Sequence, residues 1–333
     1  MTPTSLGARP SRRFPALDLA AVAPFAALLA LLVLGAAVNP SFLSAENLLN
    51  VVTRSAFIAV IGVGATFVIA AGGIDLSVGS MAAFVAGTMI LFMNAGWGDG
   101  AFGTIAAAMA LSVGVGTACG LGNGLVTLGR IEPFIVTLGT MGIFRGLTVW
   151  LAAGGSIAIK SQALRADYRP AYFGAVAGVP VPVLVILAAA ALGGFVLRRT
   201  AFGRHVEAVG SNDEVARYSG IRVGAVRTAT YAIQGFCVAV AVLVYVPRLG
   251  AATATTGILW ELQAITAVVI GGTALRGGIG RVWGTVCGAL ILEVVGNIMV
   301  LSSFVSEYLI GAVQGAIIIV AMLLQRSLLR QGP

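Results

Sequence analysis

Asp75 is the only acid between Glu46 and Asp99, and apolar runs flank it on both sides. A carboxylate at the centre of a bilayer costs about 2.5–3.5 kcal/mol on insertion scales, so Asp75 must sit at a membrane edge, in a polar cavity or against a partner. Around it the chain reads Gly72-Gly73-Ile74-Asp75-Leu76-Ser77-Val78-Gly79-Ser80. The paired glycines allow positive φ and close backbone approach. Asp75 or Ser77 offers an oxygen to the free N–H groups of a following helix. The string predicts a sharp turn, or a break in a membrane helix, followed by a new helix start. Two further charges lie deep in apolar runs. Arg145 is about eleven residues into its run, roughly 16 Å at 1.5 Å per residue, and Glu293 is about equally deep in another. Neither charge is stable alone at that depth, so the two are expected to pair or to face a wet central path. Asn123, Thr137, Thr140, Gln234, Gln263, Asn297 and Gln314 add hydroxyls and amides inside the runs. They suit contacts with a hydroxyl-rich solute, or hydrogen bonds between helices.

The same inventory offers little for covalent chemistry. The only histidine, His205, falls between apolar runs, and no G-x-S-G string marks an activated nucleophile. The single lysine, in Ala158-Ile159-Lys160-Ser161, has no glycine loop around it. A phosphate cradle of the G-x-x-x-x-G-K-[S/T] kind is therefore missing. Cys119, Cys237 and Cys287 are far apart in apolar stretches and read as packing residues. No catalytic group, no metal ligand and no cofactor bound by this chain is expected.

The elements that carry these residues follow from composition. The chain has 333 residues, of which 59% are hydrophobic and 10% charged, with a mean hydropathy of +1.01. A soluble domain carries about 25% charge. This chain is expected to be an all-α polytopic membrane protein with a single transmembrane domain over residues 1–333. Apolar runs at about 16–38, 50–71, 79–95, 101–128, 134–153, 179–197, 228–247, 258–275, 282–301 and 305–325 each approach the roughly 20 residues that cross a bilayer. That makes about ten transmembrane helices. The first run exceeds the roughly 7–15 residues of a signal-peptide core, so it reads as an anchor helix behind a polar tail, residues 1–15.

If the spans alternate, one side receives Arg9, Arg12, Arg13, Arg130, Arg198, Arg199, Arg204, Arg217, Arg222, Arg227, Arg276, Arg281, Arg326 and Arg330. The other receives Arg54, Lys160, Arg165, Arg169 and Arg248. By the positive-inside rule the first side is cytoplasmic, and so are both termini. Residues 154–178 then form an outer loop and residues 198–227 an inner one. Ser211 through Gly220 in the inner loop carries helix signals: Ser211 or Asn212 as N-cap, Asp213 and Glu214 in the first turn, Arg217 in the last, Gly220 as the stop. So short a helix is marginal alone and must pack on its own membrane helices or dock on another subunit. Val68–Leu76 resembles Val268–Leu275, with Gly-Gly after an apolar run in each, the form of an internal repeat. Gly114, Gly116, Gly120, Gly122 and Gly124 allow close helix approach.

The string from Gly72 to Ser80 resembles the hallmark of the permease subunits of ribose-type ATP-binding-cassette sugar importers, a branched binding-protein-dependent transport family. Further segments are similar in order: Asn123-Gly124 through Pro133 to Met141; Gly203-Arg204 and Gly210 through Ile221; Glu261 to Ile265 running into Gly271-Gly272-Thr273, then Gly277-Gly278 and Gly284-Thr285. The resemblance covers the chain from about Asn39 onward. Gln263 departs from it, since an acid is common there, as does Ile298 after Asn297, where glycine is frequent.

The resemblance implies a non-enzymatic permease of a bacterial inner membrane that moves a pentose or related monosaccharide. It implies a cytoplasmic ATPase subunit that holds ATP and Mg, a periplasmic sugar-binding protein and a second permease chain. Gly210, Asn212, Glu214, Ala216, Arg217 and Gly220 would form the segment that couples to the ATPase. Asp75, Ser77, Asn123, Thr137, Thr140, Arg145, Gln263, Glu293 and Asn297 are the expected residues of the path or its gates. The alternative is a transporter of small polar solutes driven by an ion gradient, which needs a buried acid as relay; Glu293 is the candidate.

Overall fold

Lipid offers no hydrogen bonds to a backbone, so a chain this apolar must satisfy its own N–H and C=O groups within helices. The computed structural model describes residues 19–129, 131–302, 309, 311–313, 315–317 and 319. It contains thirteen α-helices, in order α1 (Leu19–Val38), α2 (Ala45–Ala70), α3 (Val78–Ala95), α4 (Gly100–Thr127), α5 (Pro133–Leu151), α6 (Gln162–Tyr168), α7 (Pro170–Phe173), α8 (Val181–Arg199), α9 (Ala201–Ser211), α10 (Asp213–Tyr218), α11 (Val223–Leu249), α12 (Trp260–Ile270) and α13 (Val282–Ser302). Among the described residues, seven helices are long and apolar enough to cross a membrane: α2, α3, α4, α5, α8, α11 and α13. The protein is a polytopic helical membrane protein. Of the expected span at 305–325 only residues 309, 311–313, 315–317 and 319 are described; Gln314 and the arginines at 9, 12, 13, 130, 326 and 330 lie outside the described residues.

Two boundaries differ from the sequence reading. Helix α2 starts at Ala45, not near residue 50, because Ser44 Oγ accepts the Asn47 N–H as its cap. Arg54 is thereby inside the helix rather than at its mouth. The run expected to cross at 258–275 is also not one helix. Only Trp260–Ile270 is helical, about 16 Å at 1.5 Å per residue, roughly half of a hydrocarbon core. Gly271-Gly272 ends it, and the chain turns back through residues 271–281 into α13.

Packing puts α2, α3 and α11 at the centre. In their most apolar stretches 78%, 67% and 67% of residues are buried, against 22–28% in α4, α5 and α8, which leave a face free. Small residues set the closest approach. Gly116, Gly120 and Gly124 on α4, one turn apart, lie directly on the α11 backbone at Gly235, Tyr231 and Thr228. Gly114 and Gly122, which alternate with them, face open space. This is the small-residue helix contact that lipid favours.

The 154–178 segment is a built structure. Strand β1 (Ser156–Ala158) pairs antiparallel with a strand after α11, Ala251–Thr253, and a short hairpin joins Ala175–Val176 to Val179–Pro180. Tyr168 donates to the Leu243 carbonyl at 2.7 Å, and burial holds its phenol pKa above the usual range, so it remains a donor.

Candidate functional site

Three constellations hold the residues singled out above. The first is the break between α2 and α3. Helix α2 closes with Gly72 at φ 81°, its N–H on the Ile69 carbonyl and the Gly73 N–H on the Val68 carbonyl. This is the Schellman arrangement, which needs a left-handed residue where glycine sits. Two hundred residues on, α12 ends the same way: Gly272 at φ 83°, its N–H on Val269 and the Thr273 N–H on Val268.

Beyond Gly73 the chain is held by side chains from three other helices. Tyr231 of α11 and Thr137 of α5 both donate to the Ile74 carbonyl, at 3.2 and 3.3 Å. Asn123 of α4 donates to Ser77 Oγ at 2.8 Å. Asp75 Oδ1 accepts from the Ser77 N–H at 2.8 Å and from Ser77 Oγ at 2.6 Å. Asp75, Ser77, Asn123 and Thr137 are thus one buried cluster. The Asp75 turn restrains its own neighbour rather than capping α3, for Ser77 makes no side-chain cap bond. Thr140 is not part of the cluster; it bonds the Thr137 carbonyl of its own helix.

The second constellation joins both breaks to α9 and α10. Gly210, in the last turn of α9, lies on the Ala70 carbonyl and the Gly278 N–H, and a Cβ at residue 210 would overlap both. The Gly278 N–H donates to that Ala70 carbonyl at 2.9 Å. Glu207, one turn earlier, reaches the Gly280 N–H at 3.5 Å. One helix end therefore touches the α2–α3 break and the α12–α13 break together.

Asn212 then starts α10: its Oδ1 accepts from the Glu214 and Val215 N–H groups at 3.1 and 3.0 Å. Ala216 is the buried anchor, Arg227 reaches Asp213 at 3.3 Å, and Gly220, at φ 81°, follows. Glu214, Val215, Arg217 and Tyr218 remain exposed, Tyr218 at 83%. Helix α9 was not foreseen, nor was the exposure of Val215 and Tyr218. An apolar and a charged pair on one short helix was the available signal.

The third constellation is a cavity of about 420 Å³ at the opposite end of α2. Gln263 and Glu293 line it, together with residues the sequence did not single out: Arg54, Phe57, Tyr245, Arg248, Trp260 and threonines 253, 255 and 256. Glu293 pairs with Arg54 at 3.0 Å, not with Arg145. Arg145 instead donates to the carbonyls of Ala254 and Thr256, at 2.5 and 2.6 Å. Matched depth on two helices does not bring two side chains together; Arg54, now inside α2, is nearer. Asn297 exchanges hydrogen bonds with Asn47 and so joins α13 to α2. Gln234 donates to the Ile61 carbonyl at 3.3 Å, also between helices.

Comparison with known proteins places the chain among relatives. A family model described as "Branched-chain amino acid transport system / permease component" matches residues 47–322. The ribose import permease protein RbsC of Bacillus subtilis (strain 168) is 38% identical over 311 residues, covering 91% of this chain and 92% of that one. RbsC of Haemophilus influenzae is 35% identical over 302 residues, 90% and 91% of the two chains. The D-allose transport system permease protein AlsC of Escherichia coli (strain K12) is 36% identical over 286 residues, 86% and 85%. No solved structure gives a significant match. With the family model spanning all three constellations and relatives aligned nearly end to end, the chain belongs to the branched-chain amino acid transport system / permease component family.

Proposed function

We propose that this chain is the transmembrane permease subunit of an ATP-driven importer of a pentose or related monosaccharide. The observation that carries the reading is the seat of Gly210 on both broken helices, beside a six-residue helix with an exposed mixed surface. A force applied at α10 from outside reaches both breaks through one contact. The sugar class is supported by the relatives' names, ribose import permease and D-allose transport permease.

In this reading the protein sits in a bacterial inner membrane with both termini cytoplasmic, the short helix α12 standing where a tenth full span was expected. A cytoplasmic ATPase subunit holding ATP and Mg docks on α10 through Glu214, Val215, Arg217 and Tyr218. A second permease chain completes the path, and a periplasmic binding protein delivers the sugar. ATP binding then favours one of two access states by differential affinity. The Asp75 cluster holds the break between α2 and α3 in register while the helices move.

The test is uptake of radiolabelled D-ribose into proteoliposomes containing this chain with its cognate ATPase and binding protein. Uptake should require ATP on the α10 side and survive collapse of ion gradients. Accumulation without ATP, abolished by ionophore, would replace this reading with the gradient-driven alternative.

A further inference from the structure

We propose that the cavity between Arg54 and Trp260 is a binding station for one neutral monosaccharide on its way through the chain. This rests on the permease reading above and adds a place and a recognition chemistry to it. A cavity of about 420 Å³ lies within the roughly 300–1,000 Å³ of small-molecule sites. A sugar ring presents C–H faces and a rim of hydroxyls. It therefore asks for a flat apolar surface beside planar donors and acceptors.

The cavity supplies both. Trp260, half-buried, lies parallel to Phe57 with ring centroids 6.0 Å apart, and Tyr245 stands edge-on to each at 5.1 and 5.5 Å. The three rings come from α12, α2 and α11 and brace one another, so the exposed part of Trp260 is a fixed platform. Gln263, one turn along α12 from Trp260, lines the cavity, as do Thr253 and Thr255 from the loop before α12, their hydroxyl oxygens 2.9 Å apart.

The charges favour a neutral ligand. Arg54 is matched by Glu293 at 3.0 Å, with side chains 55% and 28% exposed, so the pair is wet rather than sealed. Arg248 lies 5.6 Å from the Phe57 and Tyr172 ring centroids, where the ring faces attract and hold its guanidinium without cancelling its charge. Such a set hydrogen-bonds hydroxyls without demanding an anion. Charged side chains within membrane helices are tolerated where they line water-filled space, which gives the Arg54–Glu293 pair a reason to be there.

The wall is also held from outside. Arg145 of α5 grips the Ala254 and Thr256 carbonyls, so it is a positioning residue for the loop that bears the threonines. From Arg54 to Ala70 is sixteen residues of continuous helix, about 24 Å. The station and the Gly210 contact are thus the two ends of one rigid element.

The experiment uses the full chain with its ATPase in lipid nanodiscs, where both faces are open to reagent. A single cysteine is introduced as Thr255→Cys, and its conversion to a mixed disulfide by a small charged methanethiosulfonate, with release of methanesulfinate, is followed with D-ribose, with sodium phosphate, or with buffer alone. D-ribose should slow labelling, phosphate at equal ionic strength should not, and Trp260→Ala should require about tenfold more ribose for equal protection. Gln263→Ala, one turn along the same helix and likewise half-buried, should weaken protection in the same direction and covers the case where Trp260→Ala fails to assemble. Labelling indifferent to ribose, or slowed by phosphate instead, overturns the station. If the unmodified complex still takes up ribose under ATP, only the station falls; if it does not, the permease reading falls with it.

Discussion

Thr66 on α2 and Thr285 on α13 face each other with hydroxyl oxygens 2.8 Å apart, where the helix that leads into the first break crosses the helix that leaves the second. Each hydroxyl also has an acceptor one turn back along its own chain segment, the Gly62 carbonyl at 2.8 Å for Thr66 and, just before α13, the Arg281 carbonyl at 3.1 Å for Thr285. The contact between them is close because Gly62 leaves room for the Thr285 methyl. Replacing either threonine by valine keeps the shape and removes one hydrogen-bond partner. Interhelical bonds of this kind are worth about 0.6 kcal/mol on average. Thr66→Val and Thr285→Val should each lower stability to unfolding in mixed micelles by less than about 1 kcal/mol, and the double variant by less than their sum. A strictly additive result would show that the hydroxyls do not bond.

Gly210 makes a sharper prediction. A methyl there would overlap the Ala70 carbonyl and the Gly278 N–H, so α9 must withdraw from the breaks. Overpacking of this kind costs about 1–3 kcal/mol, which a protein this well packed can survive. Gly210→Ala should therefore leave the chain in the membrane and bound to its ATPase. Ribose uptake should fall at least about tenfold while ATP hydrolysis continues. Gly122→Ala, on a face with nothing within 4 Å, is the matched control and should transport normally. Equal uptake by both variants would remove α9 from the coupling route.

Asn212 isolates the role of α10. Its side-chain oxygen accepts from two N–H groups at the helix start, and a cap lost to alanine costs about 1 kcal/mol. In a six-residue helix that is enough to unravel the element. Asn212→Ala should uncouple hydrolysis from uptake, whereas Asn212→Asp, which retains the acceptor, should not. An Asp variant as defective as Ala would mean that the amide contacts a partner directly.

Parts of this arrangement were legible in the residues, and the reasons differ by site. An acid between two apolar runs is costly enough that the Gly72–Ser80 break could be read without a partner in view. Asn212 was readable as one of two caps because capping is local. The Schellman ends at Gly72 and Gly272 follow from Gly-Gly after an apolar run, although α5 ends in the same turn with Ala153, at φ 47°, in the left-handed place. That turn alone is therefore no mark of repetition. What singles out the two breaks is their shared contact with Gly210, and no local pattern encodes it. Hydropathy took residues 258–275 for a full crossing because it weighs composition and not the left-handed glycine that stops the helix at residue 270. The cavity was missed for a related reason. Phe57, Tyr245 and Trp260 come from three helices, and each alone resembles an ordinary core aromatic. Arg54 was set at the membrane edge because Ser44, six residues before the apolar run, was not recognised as the cap that starts α2.

Asp75 carries the last prediction. Its Oδ1 accepts two hydrogen bonds from Ser77, while its Oδ2 is buried and has no partner among the described residues. Asn123 Oδ1 is buried and unpartnered among them as well, although the Asn123 amide is fixed on Ser77. Two acceptors in one cluster without a donor are unfavourable, since an unsatisfied buried polar atom costs about 1–3 kcal/mol. Asp75→Asn keeps the Oδ1 acceptor for Ser77 and adds an N–H₂ donor to the cluster. Asp75→Ala removes the acceptor and strands both Ser77 donors. The asparagine variant should melt at or above the parent temperature in detergent, and the alanine variant should be destabilised by about 1–3 kcal/mol. If the two substitutions destabilise equally, the carboxylate charge itself holds the break, and a cation must neutralise it when the protein is assembled.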